Sequence, residues 1–338
     1  MKKGSFFRMT LGAVVMAAGI GDAFAAAQRT FVASNGVDTN PCTLTQPCRS
    51  FTRAISQTSA AGEVIVVDSA GYGPVAITQS VSIVAPPGIY AGVTVSSGTG
   101  ITVNAAGIDV ALRGLTINGQ GGSVGIAFTQ GKSLVVERCI ISGMSFAGID
   151  ILGALSASIA DVRVERGGSF GIRIGTFLAT PTRVTVQRAA IVGNFTAGIQ
   201  AGTAGGGAVR VSVADSELSG NGIGIDAFAD NDSGSNTYVY ASRNVIANNS
   251  GDGIFSGSAG SGHSLVYSVD NVITTNGGSG ISVFQALGQV VVSGSTVSGN
   301  LGGFIHSSGG GIFTLKNNIV RDNATNIDAG GTNLLTFD

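Results

Sequence analysis

Four polar residues in the middle of the chain each come directly after a Gly-Ile pair: Asp150, Arg173, Gln200 and Asp226. Side chains alternate between the two faces of a strand, so if each Ile points into a core, the next residue points outward. If the segments stack in register, the four side chains form an exterior row about 4.8 Å apart. A carboxylate beside a guanidinium could take up a proton, hold a cation or pair with an acidic ligand. A solvated face with one salt bridge is the alternative.

Two sets of site residues are predicted from this row. The candidates for catalysis are Asp150, Arg173 and Asp226. The candidates for ligand binding are Arg173, Gln200, Arg210 and Asp226. Arg163, Arg183 and Arg210 fall on neighbouring predicted strands and would add positive charge near Arg173. We therefore expect the middle of the molecule to present a face that meets a polyanion.

Metal and cofactor chemistry has little support in the sequence. The most acidic corner contains Asp230 and Asp232, whose oxygens would suit Ca²⁺, although a solvated turn is the simpler interpretation. The spacing does not match an EF-hand loop. His263 and His306, the only histidines, have no Cys/His spacing typical of zinc, and no G-x-S-x-G elbow occurs. We expect no cofactor and, at most, a weak calcium site.

Three tyrosines lie on successive predicted strands: Tyr238, Tyr240 and Tyr267. We expect their side chains to point into the core, like those of Val211 and Val213. The pattern therefore predicts an internal aromatic stack rather than an exterior platform for sugar rings. The chain has no Trp, the largest ring on which a sugar could stack.

The elements that must position these residues are short strands that recur with the Gly-Ile pairs. Steps between successive pairs run from 18 to 29 residues, a period typical of stacked repeats. The predicted exterior row, one residue per repeat, reads Asp109, Ala127, Asp150, Arg173, Gln200, Asp226, Phe255, Ser282, Ile305 and Asp328. Asparagines recur at the corners, at Asn194, Asn221, Asn248, Asn276, Asn300 and Asn323, where we expect a structural role. The repeat length fits three short strands and three corners per coil, in about a dozen coils.

The N-terminal region differs from the repeats. Residues 1–25 combine Lys2 and Lys3 with an apolar stretch and Ala23-Phe24-Ala25, which predicts a cleaved secretory signal. A helix is predicted to begin at Ser50, in a cap spanning residues 26–61, with the repeats over 62–338. Cys42 and Cys48 are six residues apart and suit a local disulfide in an oxidising compartment. Cys139 lies in an apolar run and is expected to be buried.

The charge and apolar content of the chain limit the classes of partner that we expect. The 338 residues carry a net charge of -1, and only 11% of them are charged. No basic stripe is present, so nucleic acid is not an expected partner. No apolar stretch after the leader approaches the length of a membrane span. We expect a secreted, periplasmic or cell-surface protein, monomeric, with no span in its mature form.

The chain resembles the right-handed parallel β-helix proteins of the pectate-lyase-like superfamily. The resemblance rests on residues 31–41 and 47–55, which look like the N-terminal cap of secreted bacterial members, and on 62–66 and 72–75. It implies an all-β, right-handed parallel β-helix over residues 30–338. Polygalacturonase-like members carry paired Asp residues, a Gly-His-Gly turn and an Arg-x-Lys, none of which occurs here. Lyase members place a Ca²⁺-binding acidic cluster near an Arg that acts as base, and Asp226 with Arg173 or Arg210 does not match that pattern residue by residue. The expected function is therefore non-catalytic binding of a polysaccharide or another extracellular surface. A polysaccharide lyase or hydrolase, and an adhesin-like stalk, are the alternatives.

Overall fold

The computed structural model describes residues 26–176, 181–203, 207–231, 234–327 and 334–336. Its strands form a 23-stranded sheet and an 11-stranded sheet, and paired strands run parallel. Strand Val124–Glu137 runs through a bend that divides the larger sheet into two faces. The three faces, sheets 1, 2 and 3, enclose a solenoid with one strand of each in every coil. The predicted all-β parallel solenoid is confirmed, with eleven strands in sheet 3 where about a dozen coils were expected.

The strands of each sheet follow one another once per coil. Sheet 1 contains Val75–Ile77, Thr99–Asn104, the first half of Val124–Glu137, Ala147–Ile151, Phe170–Ile174, Ala197–Thr203, Ile223–Ala229, Ile254–Ser258, Ser279–Phe284, Gly302–Ser307 and Thr325–Ile327. Sheet 2 contains Ala27–Val32, Thr58–Val66, Val81–Val84, Asp109–Arg113, the second half of Val124–Glu137, Ala154–Ala160, Thr182–Gln187, Ala208–Ala214, Asn236–Ser242, His263–Val269, Gly288–Ser293, Gly311–Thr314 and Leu334–Thr336. Sheet 3 contains Ala70–Gly71, Ala91–Val95, Leu115–Gly119, Ile140–Ser142, Arg163–Glu165, Ala190–Val192, Glu217–Ser219, Val245–Ala247, Val272–Thr274, Thr296–Ser298 and Ile319–Arg321.

The Gly-Ile repeat forms the core of sheet 1. Ile residues stack in register from coil to coil, and every Ile in this column is fully buried: Ile101, Ile126, Ile149, Ile172, Ile199, Ile225, Ile254 and Ile281. Burying one such side chain contributes about 1.5–3 kcal/mol. The preceding glycine is required by close packing. A Cβ on Gly198 would lie 2.9 Å from both the Gly224 carbonyl oxygen and the Asn221 amide nitrogen.

The first member of the predicted repeat was wrong. Ile108 does not join the column, because Asp109–Arg113 belongs to sheet 2 and Asp109 pairs with Ser133. The column begins at Gly100-Ile101 instead, and the exterior position beside Ala127 is Thr102. The last predicted member, Asp328, lies outside the described residues.

Asparagine side chains form a ladder between sheets 3 and 1. Asn221 donates its backbone N–H to the Asn249 side-chain oxygen, 2.9 Å away, and accepts from the Asn194 side chain at 2.8 Å. The ladder continues through Asn276, Asn300 and Asn323. The prediction of Asn248 as a ladder member was wrong by one residue, since Asn249 occupies that place. Asn248 has a φ of 55°, and its side chain lies at the surface. A second ladder between sheets 2 and 3, not predicted, contains Ser216, Asn244, Asn271 and Ser295.

The described part of the N-terminal region contains one helix, Phe51–Gln57. Ser50 begins it, since its hydroxyl accepts the Arg53 backbone N–H and donates to the Asp38 carboxylate at 2.8 Å. Phe51 is buried against the first coil. The predicted Cys42–Cys48 disulfide is present, and both cysteines are buried. The predicted signal, residues 1–25, lies outside the described residues.

The three tyrosines point outward, contrary to the sequence-based prediction. Val211 pairs with Val239, and both are buried, so Tyr238 and Tyr240 lie on the opposite face of their strand. The predicted alternation of inward and outward side chains was shifted by one residue, and the shift arose at the corner that precedes Asn236–Ser242. Tyr267 pairs with Tyr240 and shares its exterior orientation.

Candidate functional site

The exterior row on sheet 1 has the register predicted for its central members. Asp150 pairs with Arg173, Arg173 with Gln200, and Gln200 with Asp226. Each follows a buried Ile in the same strand, so each side chain points away from the core. The row continues through Phe255, Ser282 and Ile305.

Asp150 and Arg173 form a two-point ion pair. Arg173 Nε donates to Asp150 Oδ1 and Nη2 donates to Oδ2, both at 2.8 Å. The Asp150 side chain is only 9% exposed, and the guanidinium lies 4.7 Å from the centre of the Phe146 ring. Because both carboxylate oxygens are engaged, Asp150 is poorly placed to act as a base, and its main effect is to fix Arg173.

Asp226 has a different environment. Its side chain accepts one hydrogen bond, from Gln200 Nε2 at 3.1 Å, and is half-buried. Burial raises the pKa of the Asp226 carboxyl, while the Gln200 hydrogen bond opposes that rise. A half-buried carboxyl with a raised pKa is a group that can exchange protons closer to neutral pH.

A cleft of about 210 Å³ opens beside this row, toward the ends of the strands. Its floor contains Gly175 and Gly202, which follow the paired residues Ile174 and Ala201. Leu152 and Phe228 stand on either side of the two glycines. The cleft exists because two successive coils carry no side chain at an exterior position. This glycine pair does not stand out in the sequence, because glycine is abundant throughout the chain.

Two polar side chains of the cleft point outward and have groups available for a ligand. Arg173 uses Nε and Nη2 for Asp150, which leaves Nη1. Gln200 lines the same cleft. Thr203 also borders the cleft, but it has the inward phase of its strand and pairs with the buried Ala229, so its hydroxyl points toward the core.

The other predicted site residues do not join this cleft. Arg210 pairs with Arg183 on sheet 2, and Arg163 lies on sheet 3 with Glu165. The expected convergence of these arginines with Arg173 was therefore wrong, because they occupy three different sheets. The Asp230 carboxylate accepts a hydrogen bond from the Ser235 hydroxyl at 2.6 Å, and Asp232 lies outside the described residues.

In the part of the chain that the structure describes, no group of three or more His, Cys, Asp or Glu side chains could hold a metal ion. No helix within the same residues is long and apolar enough to span a membrane.

The spacing of the carboxylates limits the chemistry. Asp150 and Asp226 are three strand spacings apart in the row, about 14 Å between backbones. Carboxyl pairs that hydrolyse glycosides lie about 5–10 Å apart. The two side chains also bond to Arg173 and Gln200 within the row rather than to a shared point. They do not form a hydrolytic pair.

Comparison with known proteins identifies the fold. Residues 63–215 match the family described as "Right handed beta helix region". The chain therefore has a right-handed parallel β-helix fold. This confirms the expected handedness, which the strand order alone does not give. No curated protein sequence matches the chain significantly.

Solved structures of similar fold include a lyase and an epimerase named for polysaccharides and a protein in complex with a sugar. Pectate lyase Pel9A is 14% identical with a TM-score of 0.57, over 89% of this chain and 78% of that one. XylC in complex with xylose is 11% identical with a TM-score of 0.58, over 82% and 70%. The A-module of the Azotobacter vinelandii mannuronan C-5 epimerase AlgE6 is 15% identical with a TM-score of 0.53, over 82% and 90%. At these identities the similarity establishes the shared β-helix fold.

Proposed function

We propose that this β-helix protein binds a polysaccharide in the sheet 1 cleft without cleaving it. The observation that carries the proposal is the cleft itself, where Gln200 and Arg173 border a gap above two glycines. Amide and guanidinium groups match the hydroxyls and carboxylates of a sugar chain. Leu152 and Phe228 offer apolar surface at either side. The similar folds of a pectate lyase and a mannuronan C-5 epimerase support the same ligand class.

A second function, polysaccharide lyase or hydrolase activity, is favoured by one observation only. Asp226 is a half-buried carboxyl with a raised pKa, one hydrogen bond away from a residue that lines the cleft. Its partner group for acid–base catalysis is not evident in the described residues, because Asp150 is held by Arg173. Binding therefore has the stronger support. An adhesin-like stalk has no specific observation in its favour.

The proposal also covers the division of the chain into regions, the location of the protein and its oligomeric state. We take residues 1–25 as a cleaved leader, residues 26–61 as the cap and residues 62–338 as the β-helix. The disulfide in the cap suits an oxidising compartment, which agrees with a secreted, periplasmic or cell-surface location. The protein is proposed to act as a monomer and without a cofactor.

The test fills the cleft without disturbing the fold. In Gly202→Val, a Cβ at this position meets only the Phe228 carbonyl oxygen at 3.5 Å, an ordinary contact, and Val suits a strand. The added methyl groups would occupy the space of the ligand. Gly71→Val is the matched control, since its Cβ would meet only the Gly92 carbonyl oxygen at 3.8 Å, on sheet 3.

Binding would be measured by affinity electrophoresis in gels that contain polygalacturonate, alginate, xylan or dextran. We expect at least one polysaccharide to retard the wild type and Gly71→Val, and Gly202→Val to lose that retardation. Equal retardation of all three proteins would overturn the cleft as the binding site. Absorbance of unsaturated uronates and release of reducing ends would be followed in parallel. Turnover that is lost in Asp226→Asn would establish the enzymatic alternative instead.

A further inference from the structure

A second exterior surface lies on sheet 2, which the cleft does not reach. It contains two arginines and three tyrosines on four successive strands, and we refer to it as the Tyr-Arg surface: Arg183, Arg210, Tyr238, Tyr240 and Tyr267. Arg183 pairs in register with Arg210, and Arg210 with Tyr238. Tyr240 lies two residues after Tyr238 on the same strand and pairs with Tyr267 on the next strand. All five side chains point to the outside of the solenoid.

The positive charge of this surface is unpaired. Arg183 and Arg210 form no salt bridge with any described residue, whereas Arg188 and Arg243 at the nearby corner are each held by an aspartate. Two guanidinium groups on adjacent strands lie about 4.8 Å apart at their backbones. The four strands Thr182–Gln187, Ala208–Ala214, Asn236–Ser242 and His263–Val269 contain no Asp or Glu. Like charges placed side by side without a counter-ion are unfavourable, so this arrangement suits an anionic ligand.

Tyr240 and Tyr267 form a stacked pair of rings, with their centres 4.7 Å apart and their planes within 2° of parallel. Tyr267 therefore covers one face of Tyr240, whose opposite face is on the side of the small Ser212 and serves as the platform. Tyr240 is 48% exposed. The Arg210 guanidinium lies 4.7 Å from the centre of the Tyr238 ring, which orients the cation beside the platform. A free ring face with a polar hydroxyl at its edge is a surface against which a ring-shaped ligand with hydroxyl groups can rest.

Small side chains extend the platform along the axis of the solenoid. The column that contains Tyr240 continues in register toward the N-terminus through Ser212, Thr185 and Ser158, and then to Val135. Val135 lines a shallow cavity of about 240 Å³ on the same sheet. From Val135 to Tyr267 the column crosses six strands, a track of about 24 Å at the ordinary strand spacing. A track of this length fits a linear polymer better than a single small molecule.

We propose that the Tyr-Arg surface is a binding site for an acidic polysaccharide, laid along sheet 2 parallel to the solenoid axis. A sugar ring stacks on the face of Tyr240 that Tyr267 leaves free, and the carboxylate or sulfate groups pair with Arg183 and Arg210. Single-stranded nucleic acid also combines stacking with negative charge, but its binding grooves need cations along the whole backbone. Here the column that contains Arg183 continues through Ser156 and Ser133 to Asp109, so it offers no further cation. The surface is separate from the cleft, and this inference does not need the cleft to bind anything.

The experiment uses the purified full chain and two pairs of variants. Tyr240→Ala removes the platform, and Tyr240→Phe preserves its ring. Arg183→Gln with Arg210→Gln removes the two charges. Arg138→Gln with Arg321→Gln removes the same charge at exposed positions away from this surface. Circular dichroism and thermal melting would verify that each variant is folded.

Binding would be measured against polygalacturonate, dextran sulfate, uncharged dextran and oligo(dT), at low and high NaCl. The chain has no Trp and five Tyr, three of them on this surface, so tyrosine fluorescence would report ligand at the platform. We expect an acidic polysaccharide, but not dextran, to bind with a change in this emission. Tyr240→Ala and the Arg183/Arg210 variant should each bind about tenfold more weakly, a loss of about 1.4 kcal/mol. Tyr240→Phe and the charge control should bind like the wild type.

The outcomes separate this inference from the proposed function. Loss of binding in the sheet 2 variants but not in Gly202→Val would support the Tyr-Arg surface and overturn the cleft. The reverse pattern would overturn the Tyr-Arg surface and support the cleft. Binding to oligo(dT) alone, or to no acidic polysaccharide, would overturn the inference. The contrast between polygalacturonate and dextran sulfate distinguishes carboxylate from sulfate as the anionic group.

Discussion

Replacing Arg173 with Ala should destabilise the β-helix, whether or not the residue touches a ligand. The substitution leaves the Asp150 carboxylate, 9% exposed, without the two hydrogen bonds that it accepts from Arg173. Removal of one partner from a buried ion pair costs about 3–5 kcal/mol. The Arg173 side chain is 27% exposed, so water can reach part of the site and the lower end applies. Loss of the contact with Phe146 adds about 0.5 kcal/mol. We expect the free energy of unfolding to fall by about 3 kcal/mol.

The chain contains a control with matched geometry. Arg188 donates Nε and Nη2 to the two oxygens of Asp161 at 2.7 and 2.8 Å, which reproduces the Arg173 pair. These side chains are 55% and 43% exposed. Exposed ion pairs contribute little, because water solvates both groups when the pair is broken. Arg188→Ala should therefore have no resolvable effect on stability.

Urea denaturation followed by far-ultraviolet circular dichroism would measure both variants. Equal losses in Arg173→Ala and Arg188→Ala would refute the argument that burial decides the cost. A double variant, Asp150→Leu with Arg173→Met, should recover much of the lost stability, because it leaves no unpaired charge. The double variant also shows why Arg173→Ala would lose ligand binding. Recovery of stability without recovery of binding would mean that a binding contact was lost, whereas recovery of both would mean that the local structure was lost.

Three further predictions follow from single residues. Asn221→Ala should lower the free energy of unfolding by about 2–3 kcal/mol, because it removes a buried link of the ladder and leaves polar groups of its neighbours unpaired. Urea titration would measure this loss, and an unchanged unfolding midpoint would contradict it. Asp226→Asn should stabilise the protein at neutral pH, because the raised pKa means that burial disfavours the charged carboxyl. That advantage should shrink as pH falls through the folded-state pKa and vanish below the unfolded value, about 3.9, so a pH-independent difference would be inconsistent with it. Cys139 is buried with its pKa raised to about 11, so a thiol reagent should label it only after unfolding.

The sequence predicted well what depends on strict alternation. A buried Ile defines the phase of a short strand, so the outward direction of Asp150, Arg173, Gln200 and Asp226 could be derived from the Gly-Ile pairs. The disulfide and the helix start were also predicted correctly, since each depends on local spacing. Local patterns succeed here because neighbouring coils impose the same register on each strand.

Features that depend on corner length were not predictable in the same way. The corner before Asn236–Ser242 has no fixed length, and an error of one residue there placed Tyr238 and Tyr240 inside instead of outside. The same uncertainty put Asn248 rather than Asn249 in the ladder. The assignment of Arg173 and Arg210 to one face failed because the bend between sheets 1 and 2 separates strands that are close in sequence.

The exterior columns carry the functional information in this protein. Inward positions repeat Ile and Val because the core permits little else, and the ladders fix the corners. Exterior positions are free to vary, so a departure from small polar residues there calls for a cause other than packing. Two departures stand out, the glycine pair that opens the cleft and the Tyr-Arg surface on the adjoining sheet. Both lie on coils between residues 150 and 270, where a single long polymer could contact one or the other but reach both only by crossing the bend between the sheets.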